Sequence, residues 1–408
     1  MDEKERALEF DIKKISQDFL DNPFPTYKIM RECDPVHRNP DGSYFLTRYD
    51  DVVLSFKHPS MSSDKKIDFK PKFGEGPLYV HHTTSLVFND PPAHTRVRKL
   101  LAGAFTPRKI SQLTPVIEGI INRLLDRLAD KKTFDIVSDY ALALPTEIIA
   151  DMLGVPEEHR NKLHNYSNLI LGALDPVVSQ EKIAEGHAAV EEFGSLLDQL
   201  IKERRKTPEG GEVGEVLSSL IFGEVDGEHL SPIELVQNCI FLLNAGHETT
   251  ANLVGNGIDI LLDHPNQMNR LRSDPTLIKT AVEEFLRFQS PLQIGNRKAT
   301  ADVEFGPIGS KTLVPAGSFI HTAIGAANRD PEIFFEPEDV DIGRKPNPQI
   351  AFGIGNHTCM GNTLGRIEGH VAIGKFVERF PNIRRVGEKK YHGRARFRGL
   401  ETLSVEVF

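Results

Sequence analysis

The sequence of 408 residues predicts a mainly α-helical fold with a minor β portion. Three features lead there. From about Pro92 to His264 the apolar positions mostly recur at helical spacing. Within that stretch, Ser231-Pro232-Ile233-Glu234 joins a capping box to a proline at the first helical position. The pattern then continues to His264 and is stopped by Pro265, which predicts one helix about 48 Å long. After Pro291, short β-type runs such as Val303-Glu304-Phe305 and Leu313-Val314 are separated by Gly and Pro. Only a large molecule can hold such a helix through its middle, and 39% hydrophobic residues can supply that core.

The remaining elements follow in order. Tyr44-Phe45-Leu46-Thr47 reads as a β run after the turn dipeptide Asp41-Gly42. Residues 60–85, rich in Lys, Pro, Gly and Ser and with little periodicity, read as a long loop. Lys206 to Gly214 reads as a surface loop. The expectation is one domain over 1–408, with a β-containing N-terminal part and long loop to about 90, a helical part at 92–290 and a mixed β part at 291–408.

Composition excludes several classes. A net charge of -9 lacks the basic footprint of general nucleic-acid binding. The charged start Met1-Asp2-Glu3-Lys4-Glu5-Arg6 leads into no signal-type or anchor-type apolar run, and about 18 consecutive apolar residues occur nowhere. The three cysteines, Cys33, Cys239 and Cys359, form no CxxC pair, which argues against a zinc site or disulfide framework and for a reducing compartment. Gly353-Ile354-Gly355 is no dinucleotide fingerprint, because position 358 is Thr; no phosphate loop or nucleophile elbow occurs either.

The most informative segment is Phe352-Gly353-Ile354-Gly355-Asn356-His357-Thr358-Cys359-Met360-Gly361. It sets Cys359 on a glycine-rich turn that runs into a helical pattern through Leu364, Ile367 and Val371. The positive end of that helix favours a thiolate. Gly355 and Gly361 allow a sharp turn and the approach of a flat ligand. Such a sulfur suits an axial ligand to haem iron; the alternative is a buried cysteine acting as a small apolar residue. The segment resembles the haem-binding loop of the cytochrome P450 family, Phe-Gly-x-Gly-x-His-x-Cys-x-Gly, with every invariant position met.

Three further segments match in the same order. In Ala245-Gly246-His247-Glu248-Thr249-Thr250, a glycine inside a helix costs about 1 kcal/mol and suggests that something approaches the backbone closely. The Thr249 hydroxyl can compete for a backbone carbonyl, and an acid beside an alcohol can relay protons. This segment resembles the family's oxygen-activating motif. Glu284 and Arg287 share a helical face and resemble the Glu-x-x-Arg pair that holds the core together. Arg344 is the candidate third partner, and Gln349 stands where many bacterial members carry His. After Asp90-Pro91-Pro92, His94 and Arg98 lie four apart and resemble a clamp for the haem propionates.

The resemblance implies the P450 fold from about Asp21 to the C-terminus and haem b with Cys359 as axial thiolate. It places Phe352, Gly353, Gly361, Ala245 and Gly246 against the cofactor, with His94, Arg98, Arg297 and His357 on its propionates. Thr249 and Glu248 would deliver protons, and Glu284 with Arg287 would be structural. Leu86, Val87, Phe88, Leu242, Leu292 and Ile294 would line a mostly apolar substrate compartment. The implied function is a soluble, cytoplasmic, bacterial-type monooxygenase acting on O2 and a small apolar organic substrate, without membrane or nucleic-acid partners. Electrons would come from a ferredoxin-type donor with its NAD(P)H-dependent reductase, since little chain follows the haem loop's helix. Arg108, Lys109, Lys375 and Arg379 read either as a docking patch for that donor or as solvated charges. A peroxide-driven peroxygenase and a non-catalytic haem-thiolate sensor are the competing readings; the Glu248-Thr249 pair speaks against both.

Overall fold

The computed structural model describes residues 2–206 and 215–408, so the expected loop from Lys206 to Gly214 falls outside the described residues except for Lys206. Lys206 ends the helix Gln180–Lys206. The long helix forms as its capping signals demand and spans Pro232–Asp263. The Ser231 hydroxyl accepts from the Glu234 N–H, and the Glu234 carboxylate accepts from the Ser231 N–H at 2.9 Å. Burial on nearly all sides forces its polar side chains to find partners inside the molecule. Asn238 accepts from the Leu86 N–H at 3.0 Å, His247 meets the Thr146 hydroxyl at 2.9 Å, and Asn256 donates to the Arg398 carbonyl at 2.9 Å.

Residues 60–85 are not a loop. They contain the strand Met61–Ser62 and the helices Lys66–Phe73 and Pro77–Thr84. Both helices are short, and the first has Pro71 inside it. Tertiary burial, not local pattern, stabilises them: Phe69, Phe73 and Leu78 enter the main hydrophobic core.

The largest sheet among the described residues has five strands in the spatial order Val36–Arg38, Tyr44–Leu46, Phe319–Ala323, Ile294–Ala299, Met61–Ser62. Tyr44–Leu46 runs parallel to Phe319–Ala323; the other pairings are antiparallel. The expected runs at Val303–Phe305 and Leu313–Val314 form a small hairpin, the second strand beginning at Thr312. The C-terminal strand Ser404–Val407 lies between Thr133–Asp135 and Ile383–Arg385. Among the described residues, no helix is long and apolar enough to cross a membrane.

Glu284 and Arg287 lie on the helix Ile278–Phe288 and are both 0% exposed. The guanidinium forks onto both carboxylate oxygens, each at 2.8 Å, and donates as well to the carbonyls of Asn328, Pro337 and Asp339. Arg344 Nε lies 3.1 Å from each Glu284 oxygen, so it is the third partner. Gln349 turns elsewhere and donates to Glu283 at 2.8 Å, where Arg366 also binds. The tripartite network ties the helix Ile278–Phe288 to the chain leading into the cysteine loop.

Candidate haem-thiolate site

The Cys359 loop is closed by its own backbone. The Cys359 N–H donates to the Phe352 carbonyl at 2.8 Å, and the Thr358 N–H donates to the Gly355 carbonyl at 3.0 Å. Gly355 has φ +81°, and a Cβ there would come within 2.8 Å of the Phe56 carbonyl oxygen. Both facts require glycine, but the close neighbour is protein backbone and not a flat ligand. Gly361 differs: its φ of -83° is ordinary, and its missing Cβ would lie 4.0 Å from the Cys359 sulfur. The glycine keeps the space beside the sulfur clear.

Helix Asn362–Arg379 begins after Gly361, leaving Cys359 just ahead of its first turn. Burial pushes the Cys359 thiol up; a hydrogen bond from the Gly361 N–H, with Arg98 and Arg366, pulls it back only in part. A coordinating metal cation would deprotonate the thiol outright.

Basic side chains gather beside the loop. The rings of His94 and His357 lie 4.0 Å apart, and both nitrogens of the buried His94 ring are without a partner. Arg98 donates to the Thr358 carbonyl at 2.7 Å. Arg297, on the strand Ile294–Ala299, lies 4.6 Å over the Phe56 ring and donates to the Asn296 carbonyl at 2.7 Å. Lys65 joins them: it is 0% exposed and its ammonium has no hydrogen-bond partner. Burial and nearby cations push Lys65 down to about 7 and His357 down to about 3, while burial, opposed by Asp90, brings Arg297 to about 10. Asp90 is already engaged by Ser62 and Ser63. Burial and mutual repulsion thus disfavour the charged forms of these groups, and an anion among them would offset that. Lys65 was missed in the sequence because residues 60–85 read as a solvated loop.

On the long helix, Ala245 is exposed although Leu242, Leu243 and Asn244 before it and His247 and Glu248 after it are buried. The helix therefore opens onto free space there. The Thr249 hydroxyl donates to the Ala245 carbonyl at 2.6 Å. Glu248 is buried; one of its oxygens accepts from Arg394 at 2.8 Å and the other has no partner. Burial raises its carboxyl and Arg394 opposes that rise. The close approach that Gly246 signals is made on its Cβ side by a neighbouring helix, where an added Cβ would come 2.7 Å from Ile149 Cδ1.

The next residue, Thr250, donates to Glu368 at 3.1 Å, binding the long helix to the one after Cys359. Burial pushes the Glu368 carboxyl up to about 8. The folded protein then holds a proton that the unfolded chain releases from near pH 4.5, so this group's stabilisation is full below that pH and is lost as pH rises through about 8. Glu368→Gln is expected to flatten that decline, which has a slope of up to about 1.4 kcal/mol per pH unit. Urea midpoints at pH values below and above this window would test it; parallel pH profiles for the two proteins would refute it.

Among expected wall residues, Val87, Phe88 and Leu292 are partly exposed, whereas Leu86 and Leu242 are nearly buried in the main core at 4% and 7%. Ile294 is 0% exposed and packs with Tyr27, Phe45 and Ala395, so it lines no open space. In the expected docking patch Arg108 is exposed, but Lys109 is bound to Ser219, Lys375 to Asn122, and Arg379 to Asp126.

The model of the Cytochrome P450 family matches residues 43–384. The chain belongs to the cytochrome P450 family. This P450 is 37% identical to a vitamin D(3) 25-hydroxylase of Pseudonocardia autotrophica over 401 residues, covering 96% of each chain. Among solved structures it resembles P450BioI in complex with a hexadec-9Z-enoic acid ligated acyl carrier protein. That match has TM-score 0.89 and 33% identity, covering 96% of this chain and 100% of the other. It also resembles a myxobacterial cytochrome P450, CYP267B1, in complex with myristic acid, with TM-score 0.87, 32% identity, and 96% and 98% of the two chains covered. A P450 monooxygenase carries haem on a cysteine thiolate, and the residues present fit that group. Cys359 offers a sulfur with clear space beside it, the buried cations suit two propionates, and Ala245 opens the long helix on one side.

Proposed function

We propose that this P450 inserts one oxygen atom of O2 into a small, largely apolar organic substrate. Electrons come from a separate ferredoxin-type protein and its NAD(P)H-dependent reductase, in the cytoplasm. The observation that carries this reading is the Thr249 hydroxyl beside the buried acid Glu248, on an open stretch in the middle of a largely buried helix. Haem b, when bound, supplies the binding and cleavage of dioxygen.

The chain's own residues do the rest. Cys359 Sγ would hold the iron, with Phe352, Gly353 and Gly361 beside the group. His94, Arg98, Arg297 and His357, joined by Lys65, would hold the propionates, whose charge would offset the cost of burying these side chains. Glu248 carries a proton inward, since burial has already raised its carboxyl, while Arg394 orients it. The Thr249 hydroxyl passes that proton on when it leaves the Ala245 carbonyl. Val87, Phe88, Leu292 and the edges of Leu86 and Leu242 exclude water from the substrate. The apolar acyl groups in the two similar structures support such a compartment.

Thr249→Ala is expected to leave reductant consumption running while product per reductant falls about tenfold or more. The measurement is product formed against NAD(P)H oxidised, in a reconstituted ferredoxin system. Unchanged coupling would reject the proton role of Thr249. Equal turnover with hydrogen peroxide alone would favour the peroxygenase reading.

A further inference from the structure

A surface groove of about 670 Å3 opens between the N-terminal segment, the helix Lys66–Phe73, the chain after helix Glu157–Gly172, and the strand Phe319–Ala323. Its apolar wall includes Phe69, Leu174, Pro176 and Phe319. Phe69 leads inward, its ring 5.4 Å from that of Phe88. Arg396 lines the groove and at the same time donates to the Ile294 carbonyl, while its own carbonyl accepts from the Gln293 N–H. It thus stands between the groove and the segment leading to the haem-side strand.

The charge on that wall is only partly balanced: Asp175 opposes the effect of burial on both Arg396 and Lys72, but its carboxylate pairs with Arg394. Arg396 is 9% exposed; with the Asn296 amide turned to accept, both terminal nitrogens reach its oxygen at 2.8 and 3.1 Å, and Nε has no partner. Lys72 also lines the groove and donates only to the Asp175 carbonyl, at 2.8 Å. Among the described residues, neither has a carboxylate within ion-pair distance. The groove's two acids are already engaged, Asp41 by Lys13 at 2.9 Å and Asp68 by Lys298 at 2.7 Å, although one Asp68 oxygen is buried without a partner. Arg396 depresses both Lys65 and Lys72, burial being the larger cause, and Lys72 falls to about 8. A buried guanidinium and a partly buried ammonium beside an apolar wall are costly unless an anion completes them.

We propose that Arg396 and Lys72 form a carboxylate-binding site, and that the substrate of this enzyme is an amphipathic carboxylic acid held by its head group there, its alkyl chain running past Phe69 and Phe88. The proposal rests on the monooxygenase reading and narrows its substrate class. A guanidinium and an ammonium side by side suit a carboxylate better than a hydroxyl or an ester, because only the charged head gains charge-assisted hydrogen bonds.

The test is calorimetric titration of the haem-loaded enzyme with tetradecanoic acid and with tetradecan-1-ol, both below their aggregation limits. The acid is expected to bind at least about tenfold more tightly than the alcohol. Arg396→Gln should erase that preference and Lys72→Met should reduce it, with affinity for the alcohol unchanged in both. Lys72 is half-exposed, so the second variant keeps the test valid should the first fail to fold. Equal affinity for acid and alcohol in the unmodified enzyme, or an equal loss for both ligands in Lys72→Met, would overturn the site. Binding is read without turnover, so a failed anchor leaves the monooxygenase reading intact, and absent turnover with the preference preserved would fault only that reading.

Discussion

Cys359→Ser is expected to abolish monooxygenase turnover and to erase the far-red-displaced Soret absorbance of the reduced, carbon-monoxide-treated protein. The fold should survive, because the loop is held by bonds that do not involve the sulfur. The backbone N–H of residue 359 would still reach the Phe352 carbonyl, and the turn conformations at Gly353 and Gly355 would be unchanged. Porphyrin should still be retained in part, since the basic cluster is built on other elements. What is lost is the soft anionic ligand, which a serine hydroxyl does not replace because it does not ionise at neutral pH. Circular dichroism, haem content and the carbon monoxide spectrum of the same sample separate these effects. A thiolate-type Soret band that persists in the variant would overturn the assignment of Cys359.

Glu284→Ala is expected to lower stability by about 3–5 kcal/mol, a large share of what holds any domain folded. The reason is what stays behind. Arg287 is 0% exposed and cannot rotate into water, and Arg344 has Nε on the same carboxylate. Removing the acid leaves two guanidinium groups facing each other, although the carbonyls of Asn328, Pro337 and Asp339 still occupy some Arg287 donors. Arg287→Lys is expected to be harmful too, since an ammonium cannot span both Glu284 oxygens and the carbonyls at once. Denaturant unfolding of the haem-free protein gives the value without a contribution from cofactor binding. A loss below about 1 kcal/mol would mean the network is no stronger than a surface pair.

The sequence was legible where function or structure depends on residues close together in the chain. The ten-residue cysteine loop, the capping box at Ser231 and the His94-Arg98 spacing are local patterns, and each forms where expected. Reading failed where a locally weak pattern is rescued by distant packing. The helices Lys66–Phe73 and Pro77–Thr84 carry proline and lysine but are held by their buried aromatic and leucine side chains. Gly246 announced a close approach without saying that Ile149 makes it. Ile294 has the apolarity of a wall residue and the position of a core one.

By itself, then, the sequence determined the family, the cysteine, the long helix and the acid–alcohol pair on it, because all are written in short-range spacing. Only the tertiary structure decided which charges meet. Arg394 reaches Glu248 from 146 residues away, and Lys65 arrives near Arg297 and His357 from a stretch that looks like solvent-facing loop. The physical reason is that burial, and with it the energy of every charge, is set by the whole packed molecule.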